Sequence, residues 1–148
     1  MKITPEGILE AYYSSIAMTA KLGTTTILMR TDEVSLLIST GAGIAAVDGI
    51  QYETEKGSIL CVAPDSYYLT NGFFWRISSE NLEIQPGLYT DKNGDMISIA
   101  ERLHAEDIRT DRSEKMIEAI LQEISAEMDR SCIRIGDIND NDAFDYLR

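Results

Sequence analysis

Between residues 24 and 77 the chain is a train of short β-branched and aromatic runs, cut at close, regular intervals by turn-forming pairs. That punctuation restricts the fold more than any other feature, because it leaves no room for long helices and demands many short strands. Residues 24–30 (TTTILMR) and 33–39 (EVSLLIS) read as strands separated by a turn at Thr31-Asp32. Gly41-Ala42-Gly43 interrupts and is read as a turn between strands. Residues 44–47 and 50–55 then flank Asp48-Gly49, a pair that favours a type I′ hairpin because both central positions need positive φ. In the second arm Ile50, Tyr52 and Thr54 share one face, while Gln51, Glu53 and Glu55 share the other, so the first set is expected to point inward. Lys56-Gly57, the near-continuous apolar run 58–63 (SILCVA), Pro64-Asp65, residues 67–70, Asn71-Gly72 and residues 73–77 extend the series. An antiparallel meander of six or seven strands, closed into a small sandwich or barrel, is the expected result.

After Ser78 the texture changes. Residues 82–89 are broken by Pro86-Gly87, 91–95 (DKNGD) form a turn, and 96–104 (MISIAERLH) suit a short helix. From Ser113 onward Met116, Ile117, Ile120, Leu121, Ile124 and Met128 recur at helical spacing, the stripe of an amphipathic helix. Asp111 and Glu114 match the spacing of a capping box and predict a start near Arg112. At the N-terminus Thr4-Pro5-Glu6 has the form of a cap, and part of 8–20 is expected to be strand. The class is therefore mainly β with C-terminal α: a small antiparallel barrel followed by one or two amphipathic helices.

With 148 residues the chain has room for one substantial core. No apolar stretch is long enough to cross a bilayer, and the opening MKITPEGILEAYY lacks the apolar run of a signal peptide, so a cytoplasmic setting is expected. Cys61 and Cys132 match no CxxC spacing and read as two reduced thiols. A net charge of −12 repels phosphate, so DNA would have to be gripped by something other than this chain.

Few residues offer reaction chemistry. The chain holds one histidine, His104, which is too few for the histidine-rich metal sites of small barrels and leaves a Ser-His-Asp or Cys-His system without support. Gly41 to Gly43 is too short for a phosphate loop, and Asp137 to Arg148 fails as a calcium loop at its sixth and twelfth positions. No catalytic residue, metal or cofactor is assigned. Binding has better candidates: Tyr67, Tyr68, Phe73, Phe74 and Trp75 cluster beside Arg76. Rings with a guanidinium can hold a small polar ligand, and the competing reading is core packing. Phe73, Trp75 and Ile77 alternate with Phe74 and Arg76, so one set at most can line a cavity. The candidate ligand contacts are Arg30, Tyr52, Tyr68, Trp75 and Arg76.

The stretch STGAGIAAVDGIQYETEKGSILCVAPDSYYL, followed by amphipathic helices, resembles the N-terminal cupin-like regulatory domain of bacterial AraC-type transcription regulators. Gly41, Gly43, Asp48, Gly49, Gly57 and Pro64 occupy the family's turn positions, while Tyr67-Tyr68 stands where a histidine is frequent. The resemblance implies a cupin-like jelly-roll barrel over residues 1–95, a helical dimerisation and linker segment over 96–130, and over 131–148 a linker and the start of a DNA-binding domain, whose helix-turn-helix units would follow NDAFDYLR. It implies no enzyme activity, a small-molecule effector such as a sugar, and a homodimer, here through Ile117, Ile120, Leu121, Ile124 and Met128. Packing of that stripe on its own barrel remains the other reading. Two alternatives stand beside the sensor: a metal-free cupin-type enzyme using Tyr52, Asp65 or a tyrosine pair as acid and base, and a free-standing binding module.

Overall fold

A computed structural model describes residues 17–138 of the chain. Among them are strands β1 (Met18–Leu22), β2 (Met29–Thr31), β3 (Ser35–Ser39), β4 (Gly43–Val47), β5 (Ile50–Thr54), β6 (Ser58–Val62), β7 (Ser66–Asn71), β8 (Phe74–Ser78) and β9 (Gly87–Asp91). Helices α1 (Asp95–Asp107) and α2 (Glu114–Ser131) follow, and strand β10 (Cys132–Gly136) comes last. The expected N-terminal cap and the NDAFDYLR segment lie outside the described residues.

The strands form two antiparallel sheets, ordered β1-β8-β3-β6-β9-β10 and β2-β7-β4-β5. The pairs β1–β8, β2–β7, β3–β6 and β4–β5 are nested, as when one long hairpin is rolled over on itself, and this is the jelly-roll connection. The expected meander is thereby corrected. Of the neighbours along the chain from β1 to β9, only β4 and β5 pair with each other, while Lys56-Gly57 carries the chain from one sheet to the other. Turn residues say where a strand stops, and which sheet receives the next strand is decided by distant partners. The hairpin itself matches its prediction: Asp48 (φ 48°) and Gly49 (φ 88°) both take positive φ between the paired Val47 and Ile50.

Residues 24–28 are not strand, although their composition favours one; β2 pairs with β7 only from Met29 to Thr31. Without a ladder partner the β propensity of Thr24 to Leu28 has nothing to act on, and Ile27 and Leu28 stay exposed.

The larger sheet is covered on both faces, which explains the unbroken apolar runs SLLIS and SILCV. Toward the smaller sheet it presents Leu37, Leu60, Val62 and Phe74, which meet Ala45, Val47 and Tyr68. Toward the helices it presents Leu36, Ile38, Ile59, Cys61, Trp75 and Ile77, which meet Met96, Ile99, Leu103 and the α2 stripe. Ile117, Ile120, Leu121, Ile124 and Met128, expected as a dimer surface, are thus buried inside this chain. The correction has a plain cause: the apolar outer face of β3, β6 and β8 needs a cover, and the nearest amphipathic helices supply it. The segment after α2 also departs from a linker, since β10 returns to extend the larger sheet beside β9.

The helices are tied down by specific bonds. Ser113, not Asp111, caps α2, its Oγ accepting from Met116 N at 3.2 Å, while Asp111 accepts from Arg109. Buried Asp91 serves α1: Oδ2 accepts from Met96 N at 2.9 Å and Oδ1 from Asn93 N at 3.2 Å. Asp91→Ala is expected to cost about 1–2 kcal/mol, as loss of a helix cap does, and a urea titration followed by circular dichroism reads it. At the edge of the sheet Thr19 Oγ1 donates its single hydroxyl proton to Asp107 Oδ2 (2.6 Å), so His104 Nδ1, 2.7 Å from Thr19 Oγ1, must be the donor to Thr19. This bridge fastens β1 to α1.

Both cysteines are free thiols, and burial pushes each up to about 12. A thiol reagent at pH 8 is expected to leave Cys61 unmodified in the native chain and to label it fully in denaturant. Because the folded value lies above the unfolded one, stability is unaffected below about pH 8.5 and falls as pH rises from there toward 12. Denaturant midpoints measured at pH 8 and at pH 10.5 check that sign.

Candidate functional site

The interior of the roll is layered. At one end Ser35 Oγ lies 2.6 Å from Thr31 Oγ1 and 2.8 Å from Ser78 Oγ; at the other Ser39 Oγ donates to the Gly41 carbonyl at 2.5 Å and lies 3.3 Å from Thr54 Oγ1. Thr31 Oγ1 also donates to the Glu33 carbonyl at 2.5 Å, so these hydroxyls are satisfied by one another and by backbone carbonyls. Between these ends the inner face carries one charged group among the described residues.

That group is Arg76. Alternation along β8 sends Phe74 into the interior cluster and Trp75 and Ile77 to the helix side, so Arg76 shares the inward face. Its strand neighbours are Ala20 on β1 and Leu37 on β3. Across the gap Tyr68, between Met29 on β2 and Val47 on β4, is buried, and Arg76 Nη1 donates to its hydroxyl at 3.4 Å, long for such a bond. Arg76 Nε is buried and, among the described residues, donates to nothing. The contrast with the other arginines is sharp. Arg30, Arg102, Arg109, Arg112, Arg130 and Arg134 each form an ion pair with an Asp or Glu, and Arg76 forms none among the described residues. Among the described residues, the arginine without an ion pair is the one on the inward face.

Tyr52 joins this face. It lies across Ala45 from the β7 ladder, packs on the interior cluster, and lines an opening of about 280 Å³ with Glu53, Thr54, Ser58, Leu60 and Leu88. A second opening of about 200 Å³, at the β1–β2 edge of the roll, is lined by Lys21, Leu22, Met29 and Thr70. Both mouths therefore expose residues that also line the interior.

The structure brings Arg76 and Tyr68 together and places Tyr52 on the same inner surface. It separates the other two candidates. Trp75 faces the helices, its ring 5.0 Å from that of His104 with Lys21 Nζ 5.5 Å above it, so it is helix-side core and not barrel lining. Arg30 points outward, paired with Asp32 and, at 2.5 Å, with Asp65. Asp65, the carboxylate of the enzyme alternative, is thus held at the surface while Tyr52 faces in. Among the described residues, no three His, Cys, Asp or Glu side chains converge as metal ligands. No helix there is long and apolar enough to cross a membrane.

Sequence reasoning missed the Thr19–His104–Asp107 bridge, whose partners are more than 80 positions apart and carry no local signal. It did mark Arg76, because an arginine among strand aromatics is conspicuous.

No protein-family model matches the chain, and no curated protein does. Among solved structures it is similar to the plu4264 protein from Photorhabdus luminescens, at 16% identity over 60% of this chain and 71% of that one, with a TM-score of 0.36.

Proposed function

We propose that the chain is the effector-sensing part of an AraC-type transcription regulator, a jelly roll that binds a small molecule between its sheets and makes no bonds itself. DNA contact would belong to a separate helix-turn-helix part, in keeping with the net charge of −12. The observation that carries the reading is the half-buried guanidinium of Arg76, without an ion pair among the described residues, on the inner face beside Tyr68. A buried donor left without an acceptor costs folding stability, and a binding site is one reason to retain it. Dimerisation remains part of the family resemblance, but the α2 stripe is occupied by the chain's own sheet, so a dimer would use other surface.

A thermal-shift panel of sugars, carboxylates and neutral aromatic metabolites tests the reading. At least one compound is expected to raise the melting temperature of the wild-type chain and to do so less in Arg76→Met or Tyr68→Phe. Stabilisation that is undiminished in both variants would move the site out of the roll, and conversion of a hit to product would favour the enzyme alternative.

A further inference from the structure

We propose that two copies of this chain associate through the outer face of the smaller sheet, as an isologous dimer packed sheet on sheet. The inference supplies a surface for the dimer of the reading above. It needs no effector, so effector binding and this surface can fail separately.

An antiparallel sheet with water on one side alternates apolar residues inward with polar residues outward. The two edge strands of the smaller sheet obey that rule: β2 turns Arg30 outward, and β5 turns Gln51 and Glu53 outward. The two central strands do not. On β7 Ser66, Tyr68 and Thr70 are buried, so Tyr67, Leu69 and Asn71 face out. On β4 Ala45 and Val47 belong to the interior cluster, so Ile44 and Ala46 face out. Leu69 and Ala46 are direct ladder partners, with Tyr67 and Ile44 next to them along the strands. Leu28, just before β2, is 63% exposed and Tyr67 48%. Leu69, Ala46 and Ile44 pack against neither buried cluster. An apolar centre inside a polar rim is the anatomy of an interface, not of a wetted sheet.

The rim points to a second copy as the cover. Arg30 stands level with Tyr67 at one end of β7. Glu53 pairs with Ile44, which lies opposite Asn71 at the other end, and it sits on the other edge strand. The two charges therefore occupy opposite corners of the face. A two-fold axis lying in the face across that diagonal brings Arg30 of each copy onto Glu53 and Glu55 of the other. The same rotation sets Lys56 near Asp32 and Asp65, the carboxylates that flank Arg30. Each corner is thus matched by opposite charge, which offsets the repulsion between two chains of net charge −12. The strands of the two sheets then cross near a right angle, one of the two ways in which sheets stack. Strands about 4.8 Å apart and about five residues long give the face an outline of roughly 300 Å². With Leu28 and the rim it approaches the roughly 500 Å² per partner at which specific interfaces begin. A weak dimer follows, with a dissociation constant on the order of 10–100 μM.

Sedimentation equilibrium of the whole chain, over a concentration series spanning that range, is the test. The wild type is expected to pass from monomer to dimer. Leu69→Lys at the centre and Leu28→Lys at an exposed position should each weaken association about tenfold or more, with an unchanged circular dichroism spectrum. Arg30→Glu and Glu53→Arg should each weaken it too, and the double variant, which reverses both corners at once, should restore it. A purely intramolecular role for Arg30 predicts no such rescue. In the wild type, the amide resonances that move on dilution should map to β2, β4 and β7. A chain that stays monomeric throughout, a dimer that Leu28→Lys leaves undiminished, or dilution shifts confined to another surface such as Ile133 and Ile135 on β10 overturns the proposal. Loss of association in both single charge variants without rescue in the double overturns the diagonal two-fold. None of these outcomes alters the thermal-shift panel, which reads effector binding separately.

Discussion

Ile124→Glu is expected to leave most of the chain unfolded at room temperature, with loss of its circular dichroism signal and of any thermal transition. Ile124 is fully buried between α2 and the larger sheet. Replacing it forfeits about 1.5–3 kcal/mol of apolar burial. The new carboxylate faces Leu36, Ile59 and Ile77-type neighbours with no cation among that cluster, which adds several kcal/mol more. The sum is on the order of 5 kcal/mol, as large as the whole stability of many domains. Ile124→Ala is the graded companion and should cost about 2–5 kcal/mol by urea titration. The glutamate variant also separates the two readings of the stripe. A dimer surface predicts a folded monomer with unchanged melting; the helix-on-sheet core predicts unfolding. A variant that stays folded at the wild-type melting temperature would show that α2 does not cover the sheet.

Gly43→Val is expected to cost roughly 1–3 kcal/mol or somewhat more, while Gly41→Ala costs nothing measurable. The two glycines look equivalent in the GAG triplet, yet their surroundings differ. A Cβ on Gly43 would sit 2.8 Å from the Asn71 carbonyl oxygen and 3.4 Å from Gly72 Cα. Neither neighbour is the end of a flexible side chain, so β4 would have to shift from β7. A Cβ on Gly41 meets nothing within 4 Å. Gly72, with φ +127°, is the other half of this contact and needs glycine for its own backbone as well. Denaturant midpoints of the two variants, measured side by side, check the asymmetry. Equal effects would mean that the triplet acts only as a turn.

Local chemistry made much of this fold legible. Asp48-Gly49 announced its hairpin, and the alternation of Ile50, Tyr52 and Thr54 with Gln51, Glu53 and Glu55 told the inner face from the outer. The helical stripe was legible as a stripe, but its partner stayed open between a second copy and the chain's own barrel, because an apolar face looks the same in either case. Ser113 displaced Asp111 as the cap for a similar reason: both are good caps, and the path of the chain out of α1 decided between them. In the candidate site Arg76, Tyr68 and Tyr52 were named from the sequence, and so were Trp75 and Arg30, which face elsewhere. The parity of a strand is readable, but whether odd or even residues face the interior depends on which side the second layer lies.

By itself, then, the order of residues determined the short strands, their turns, the amphipathic helices and the scarcity of reactive groups, since each follows from neighbours within a few positions. The nested pairing of strands, the burial of the α2 stripe and the isolation of the Arg76 guanidinium were decided only in three dimensions. Each depends on residues tens of positions apart, whose meeting is selected by the burial of both faces of one sheet at once, and no local pattern encodes that choice.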